Sequence, residues 1–144
     1  MTRAAVVAAL GDRADPDAVG GPEPDACDLF HPVRAPERLF VMIERGKLTR
    51  VTLAKGATIT TDRGLGLGAT AAQVRAAYGD ALKAEPHEYV PAPGQYLTHW
   101  ARGGGGAYVQ DPAARGVRYE VGADGRVDAI HAGGPSIQYV EGCA

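Results

Sequence analysis

The sequence predicts an α+β fold in which two degenerate repeats, each a short helix followed by antiparallel strands, form one sheet layered with the helices. A helix-like segment occurs twice, and a strand-turn-strand pattern follows each copy. The 20 glycines and 10 prolines among 144 residues favour many turns over long helices. We expect a single domain over residues 1–144, with repeat 1 over about 1–62 and repeat 2 over about 63–144.

The helices are predicted from an ungapped match between residues 2–12 and residues 70–80, which share Thr, Ala, Val, Ala-Ala and Gly-Asp at the same positions. Each segment begins with a threonine that can cap a helix and ends near a glycine that can terminate one. Valine and alanine at helical spacing between the caps give each helix a mostly apolar stripe.

A glycine-rich segment precedes the second helix. Residues 64–69, Gly-Leu-Gly-Leu-Gly-Ala, match G-x-G-x-x-A, one form of the sequence pattern of the dinucleotide-binding loop. The residues before them are polar and alternating, unlike the apolar central strand that such a loop follows. We therefore expect a lead into the helix, with Leu65 and Leu67 as core contacts and Thr70 as the cap, and we expect no cofactor.

The strand patterns also recur. Residues 39–53 read as strand, turn at Arg45-Gly46, strand, and residues 117–130 repeat this pattern around Asp124-Gly125. Before each hairpin, Leu-Phe-His at 29–31 keeps the same offset as Leu-Thr-His at 97–99. These patterns predict antiparallel pairing within each repeat.

Three further segments complete the predicted organisation. Residues 12–24, rich in Asp, Pro and Gly, and residues 102–107 with their four glycines are expected to be loops. A last strand is expected over residues 137–141.

Charge and hydropathy limit the partners. The formal net charge is −2 with the signs interspersed, so neither nucleic acid nor an anionic membrane is a favoured partner. No apolar run reaches the length of a membrane span, and the opening residues are too short for a signal peptide. The chain is thus expected either to be cytosolic or to begin after a removed leader.

Motifs for catalysis are absent from the sequence. It has no phosphate loop, no nucleophile elbow and no metal-ligand spacing, so we expect no catalytic residue, no metal and no enzymatic activity. The alternative is a small-molecule-binding or metal-dependent enzyme in which His87, His99 and His131 converge in space.

The predicted sheet suggests a binding surface. Helices covering one side leave the other side to water or to a partner, and Tyr, Trp and Arg are the residue types that anchor interfaces. The candidate binding residues on this face and among the nearby aromatics are Arg50, Tyr89, Tyr96, His99, Trp100, Arg118 and Glu120. The alternative interpretation of Tyr96 and Trp100 is that they belong to the core.

The two cysteines, Cys27 and Cys143, lie near opposite ends of the chain. They permit one intramolecular disulfide, and the alternative is two free thiols.

Residues 67–79 and the Tyr119-Glu120 to Arg126-Val127 hairpin resemble the repeat of the β-lactamase-inhibitor-protein and outer-membrane small-lipoprotein (SmpA/OmlA, BamE) superfamily. The second half is also similar to uncharacterised bacterial exported proteins that end in an aromatic-Val-Glu-Gly-Cys signature, here residues 139–143. No inhibitory loop corresponds residue by residue, so inhibition of a β-lactamase is not expected.

The resemblance implies helices packed on an antiparallel sheet, a Cys27–Cys143 disulfide, and a periplasmic or secreted location after removal of a signal peptide. It further implies a non-catalytic protein-interaction module of a bacterial envelope. The expected partner is a protein or a cell-envelope component.

Overall fold

The computed structural model describes residues 1–143, which form one seven-stranded antiparallel sheet and two short α-helices. The helices are α1 (Arg3–Leu10) and α2 (Ala71–Tyr78). The strands are β1 (Cys27–Phe30), β2 (Leu39–Glu44), β3 (Lys47–Leu53), β4 (Leu82–Pro86), β5 (Gln95–Arg102), β6 (Arg115–Val121) and β7 (Val127–Gly133). Two 3₁₀ turns cover Gly79–Ala81 and Pro135–Gln138.

Both helices begin and end where the repeated segment predicts. The Thr2 and Thr70 hydroxyls each accept a hydrogen bond from a first-turn backbone N–H at 3.2 Å. Gln73 closes a capping box at Thr70, because its side chain accepts the backbone N–H of Thr70 at 2.9 Å. The predicted helices and their caps are therefore confirmed.

The sheet order is β1-β2-β3-β7-β6-β5-β4, and every neighbouring pair is antiparallel. Strands β1–β3 come from repeat 1 and β4–β7 from repeat 2, so the repeats meet where β3 pairs with β7. The predicted α+β class, the single sheet and both hairpins are confirmed.

Two strand assignments differ from the prediction. The strand expected over residues 137–141 is wrong: the chain turns off the sheet after Gly133, and Pro135–Gln138 is a 3₁₀ turn. No edge of β7 is open to another strand, because β3 and β6 already pair with its two sides. Strand β4 was not predicted; it pairs with β5 at one edge of the sheet.

We call the side of the sheet that carries α1 and α2 the helix face, and it contains the apolar core. Its buried residues are Val6, Phe30, Leu39, Val41, Ile43, Leu53, Ala57, Leu65, Val74, Leu97, Tyr119, Val121, Val127 and Ile130. The core includes Leu65, with Leu67 packed against it, as expected. The core also contains a network of side-chain hydrogen bonds. The Tyr119 hydroxyl lies 2.7 Å from the Tyr78 hydroxyl and donates to Thr61 Oγ1 at 3.1 Å.

The predicted loop after α1 runs along the outer edge of β1. The Leu29 N–H donates to the Gly20 carbonyl at 2.9 Å, and the Ala14 N–H donates to the His31 carbonyl at 2.8 Å. This loop therefore satisfies part of the sheet edge that would otherwise offer free backbone groups to another chain.

Candidate binding surface

The side of the sheet opposite the helices is covered by the chain's own C-terminal residues 135–143, which we call the strap, and this side is the strap face. The 3₁₀ turn of the strap packs on β3, β6 and β7. The expectation of an open sheet face is wrong, because polar strap-face residues such as Arg50 and Arg118 are only 3% and 5% exposed. The strap occupies the place that we assigned to a partner.

Both arginines predicted to bind a partner hold the strap instead. Arg50 Nη1 donates to the carbonyls of Ser136 at 3.3 Å and Tyr139 at 3.2 Å. Arg118 Nη1 donates to the Gln138 carbonyl at 3.4 Å, and its Nη2 donates to Glu85 Oε1 at 3.3 Å. Burial lowers the pKa of both guanidinium groups, opposed mainly by nearby carboxylates.

Glu120 lies between two histidines on the strap face. His87 Nε2 lies 2.8 Å from Glu120 Oε1, and His131 Nε2 lies 3.1 Å from Glu120 Oε2. The hydrogen bond from His131 lowers the pKa of the Glu120 carboxyl, and the bond from His87 adds to this effect. Burial opposes both but does not outweigh them. Burial lowers the pKa of His131, whose Nδ1 lies 2.9 Å from Thr52 Oγ1. The cluster thus pairs a carboxylate with two imidazole donors.

The roles of the two ring nitrogens of His87 follow from their partners. Its Nδ1 accepts the backbone N–H groups of Tyr89 at 3.1 Å and Val90 at 3.2 Å. A nitrogen that accepts two N–H groups carries no proton, so the proton is on Nε2 and is donated to Glu120. The ring also stacks on Tyr96 with centroids 4.7 Å apart. His87 thereby fixes the start of the loop after β4.

The three histidines of the alternative hypothesis do not all converge. His87 and His131 share Glu120, whereas His99 lies on the helix face and stacks on Tyr78 with centroids 4.7 Å apart. Among the described residues 1–143, no group of three or more His, Cys, Asp or Glu side chains is arranged to hold a metal ion.

Tyr96 and Trp100 both lie on the strap face. Tyr96 is 6% exposed and carries the Arg118 guanidinium 4.6 Å above its ring. Trp100 is half-buried and lies between two glycines: a Cβ at Gly104 would come within 2.4 Å of Trp100, and one at Gly116 within 2.8 Å. The glycine loop after β5 therefore packs closely against the indole, and Tyr96 offers little surface to a partner.

The exposed aromatic surface lies on and around the strap. Tyr89, Tyr108, Tyr139 and Val140 are 62%, 53%, 38% and 46% exposed, and we call them the tyrosine surface. Tyr89 was among the predicted binding residues, whereas the other three were missed. Tyr139 and Val140 belong to the aromatic-Val-Glu-Gly-Cys signature, which was the sequence signal that could have identified them.

Hydroxyl groups orient two rings of the tyrosine surface. Tyr89 donates a hydrogen bond to Glu141. This bond is the main reason that the pKa of Tyr89 is raised to about 12. Tyr139 donates to Glu44 Oε1 at 3.1 Å. Burial raises the pKa of Tyr139, and the nearby Glu44 and Tyr108 raise it further. The hydroxyls are therefore engaged within the chain, while the rings remain accessible.

A disulfide between Cys27 and Cys143 joins the end of the strap to β1, as the resemblance implied. No free cysteine is present among residues 1–143. Among the same residues, no helix is long and apolar enough to cross a membrane.

No protein-family model, curated protein or solved structure matches the chain.

Proposed function

We propose that the chain is a non-catalytic protein-interaction module exported to the periplasm or the exterior of a bacterium, and that it binds a basic segment of a partner protein through the tyrosine surface. The observation that carries this proposal is the exposure of three tyrosines and a valine on and beside a strap that the chain itself holds in place.

Residue type supports a protein partner. Tyrosine is enriched at the energetic centres of interfaces because its ring gives a large contact area with few rotatable bonds. At Tyr89 and Tyr139 the hydroxyl is already bonded to Glu141 or Glu44. Contact with a partner therefore requires little further ordering of these side chains, and ordering is a main cost of association.

Charge supports a basic partner segment. Glu141 and Glu44 touch the tyrosines directly, and the exposed Glu88 adjoins Tyr89 in the chain. A Lys or Arg side chain from a partner can stack on an exposed tyrosine ring and pair with one of these carboxylates. Both contacts favour cations over anions, consistent with the net charge of −2.

The disulfide supports an exported location, because such bonds persist in oxidising compartments. The resemblance to bacterial exported proteins points in the same direction. Holding the strap in place keeps Tyr139 and Val140 in one arrangement, together with Glu141, which accepts the Tyr89 hydroxyl.

The test is capture of partners from a bacterial envelope extract by the oxidised chain, followed by affinity measurement with the purified partner. The variant Tyr89→Ser plus Tyr139→Ser removes two rings, and Glu141→Gln removes one carboxylate. Val33→Ser is the matched control, because Val33 is 60% exposed but lies outside the tyrosine surface.

We expect the double variant to weaken binding at least about tenfold, which corresponds to one interface anchor. Glu141→Gln is expected to reduce the salt dependence of binding, and Val33→Ser to bind like the wild type. A partner that binds the double variant normally, or that is an acidic protein, a nucleic acid or a lipid, would contradict the proposal.

A further inference from the structure

A cleft of about 440 Å³ opens where β3 of repeat 1 meets β7 of repeat 2. Its apolar walls include Leu48, Val51, Ala132 and Pro135. A volume of this size lies within the range of small-molecule sites. None of the residues of the tyrosine surface lines it, so the inference drawn from it goes beyond the proposed function.

Two unpaired polar atoms belong to this cleft. Among residues 1–143, the only buried side-chain nitrogen or oxygen atoms without a hydrogen-bond partner are Thr49 Oγ1 and Arg50 Nε. Both residues line the cleft and are adjacent in β3. Buried polar groups in native proteins are nearly always paired, so two neighbouring exceptions at one cleft are polar atoms that a ligand in the cleft can pair.

The Nη1 donors of Arg50 are already engaged. They bond two strap carbonyls, which holds the guanidinium in place, while the buried Nε–H has no acceptor. Burial lowers the pKa of this group, with Glu120 and Glu44 opposing the shift and Arg118 adding to it. A bound anion would offset the same burial.

A second arginine lines the cleft. Arg115 uses Nη1 on the carbonyls of Pro112 at 2.8 Å and Ala114 at 2.6 Å, and its Nε and Nη2 make no hydrogen bond with the described residues. Among the described residues that line the cleft, none is an aspartate or a glutamate. The cleft therefore combines two cationic side chains and a hydroxyl with mostly apolar walls.

We propose that this cleft binds a small organic carboxylate with a compact apolar body. The Arg50 Nε–H and the Thr49 hydroxyl offer two donors to the two carboxylate oxygens, and charge-assisted bonds of this kind are the stronger class. Arg115 supplies further positive charge, and Leu48 and Val51 contact the apolar body. The site uses residues of both repeats and lies at their junction.

The experiment is an NMR titration of the isotope-labelled full chain with isovalerate and benzoate, following the backbone amides of Thr49, Gly133 and Gly134. The uncharged probes isovaleramide and benzamide have the same apolar bodies. The variants are Thr49→Val and Arg115→Gln. Arg102→Gln is the matched control, because Arg102 pairs with Arg115 across the strands but does not line the cleft.

We expect the acids to shift these amides and to bind at least about tenfold more tightly than the corresponding amides. Thr49→Val and Arg115→Gln should each weaken the acids about five- to tenfold, whereas Arg102→Gln should not. Arg50 is left intact because it also holds the strap.

Results of three kinds would overturn the proposal. The first is the absence of amide shifts with either acid. The second is equal binding of acids and amides, which would indicate an apolar cleft without anion recognition. The third is binding that Arg102→Gln weakens as much as Arg115→Gln, or that inorganic phosphate reproduces without any dependence on Thr49, since either would indicate diffuse surface charge.

Discussion

The two faces of the sheet are both buried, but different interactions stabilise them. The helix face is covered by α1 and α2 and contains side chains such as Leu97 and Ile130, at 0% and 2% exposure. The strap face contains charged side chains such as Arg50 and Arg118, which are almost as deeply buried. Apolar contacts depend on volume, whereas buried charged groups depend on having a partner for each polar atom.

This difference has a consequence for function. On the strap face the buried side-chain nitrogen and oxygen atoms are hydrogen-bonded to particular carbonyls, hydroxyls or carboxylates. The exceptions among the described residues are Arg50 Nε and Thr49 Oγ1, whose residues line one cleft. The helix face depends less on such pairing, because most of its contacts are apolar; its buried Asp28 is bonded to Arg3 and Arg13. We therefore place both proposed sites on or beside the strap.

The largest expected effect comes from releasing the strap. Replacing Cys27 and Cys143 by serine should lower the free energy of unfolding by about 4–5 kcal/mol, since the bridge spans 116 residues. Denaturant unfolding measures this loss. Hydrogen exchange should show the Val109 and Tyr139 amides losing protection well before those of α2.

The reduced wild-type chain is the control for the serine substitutions and should behave like the double variant. A loss under about 1 kcal/mol, or equal deprotection of both faces, would mean that the arginine contacts alone hold the strap.

The next effect tests the helix face. Leu97→Ala should cost about 3 kcal/mol, because a fully buried leucine is lost and a cavity remains. Leu97→Met keeps most of the volume and should cost less than about 1.5 kcal/mol. Equal costs for the two substitutions would contradict a core held by volume-dependent packing, and denaturant midpoints distinguish the outcomes.

The sequence was sufficient for the helix face because local signals and apolar periodicity define it. The paired caps at Thr2 and Thr70 and the two hairpin turns are encoded within a few residues of the elements that they delimit. The repeat match was nevertheless wrong by one residue in the strand that precedes each hairpin, β1 and β5. Leu29 lies beside Gly142 of the strap, whereas Leu97 lies in the core, since a one-residue slip exchanges the faces of a strand.

The strap face was not predictable in the same way. Residues 137–141 have the apolar-polar alternation of a strand, but the position beside β7 was already taken by two other strands. That occupancy is a property of the whole sheet and cannot be deduced from the segment alone. The burial of Arg50 and Arg118 was missed for the same reason. The segment that covers them had been predicted as a strand of the sheet.

A smaller effect is expected at the contact between the strap and the glycine-rich loop. Gln138 accepts the Val109 N–H at 2.9 Å and donates to the Val109 carbonyl at 2.8 Å. Gln138→Leu leaves both backbone groups without a partner and should cost about 2 kcal/mol. Gln138→Glu keeps an acceptor for the N–H and should cost less; if it costs as much, the side chain acts through its volume. Chemical denaturation measures both.

The smallest effect concerns pH and involves only the strap face. Burial lowers the pKa of His131 in the folded chain, so the unfolded chain binds a proton more readily. The contribution of neutral His131 to the free energy of unfolding is complete above the pKa of about 6.5 that a histidine has in the unfolded chain. It is lost as the pH falls below that value. The lowered pKa of Glu120 adds a loss of the same sign below about pH 4.5.

Between about pH 7 and pH 5.5, the free energy of unfolding should therefore fall, by no more than the limit of about 1.4 kcal/mol per pH unit for one proton. His131→Gln retains a donor toward Glu120 but does not titrate, so its unfolding free energy should vary less over this range, although its absolute stability is lower. Denaturant unfolding at each pH provides the comparison. An unchanged slope in the variant would assign the acid sensitivity to a group other than His131.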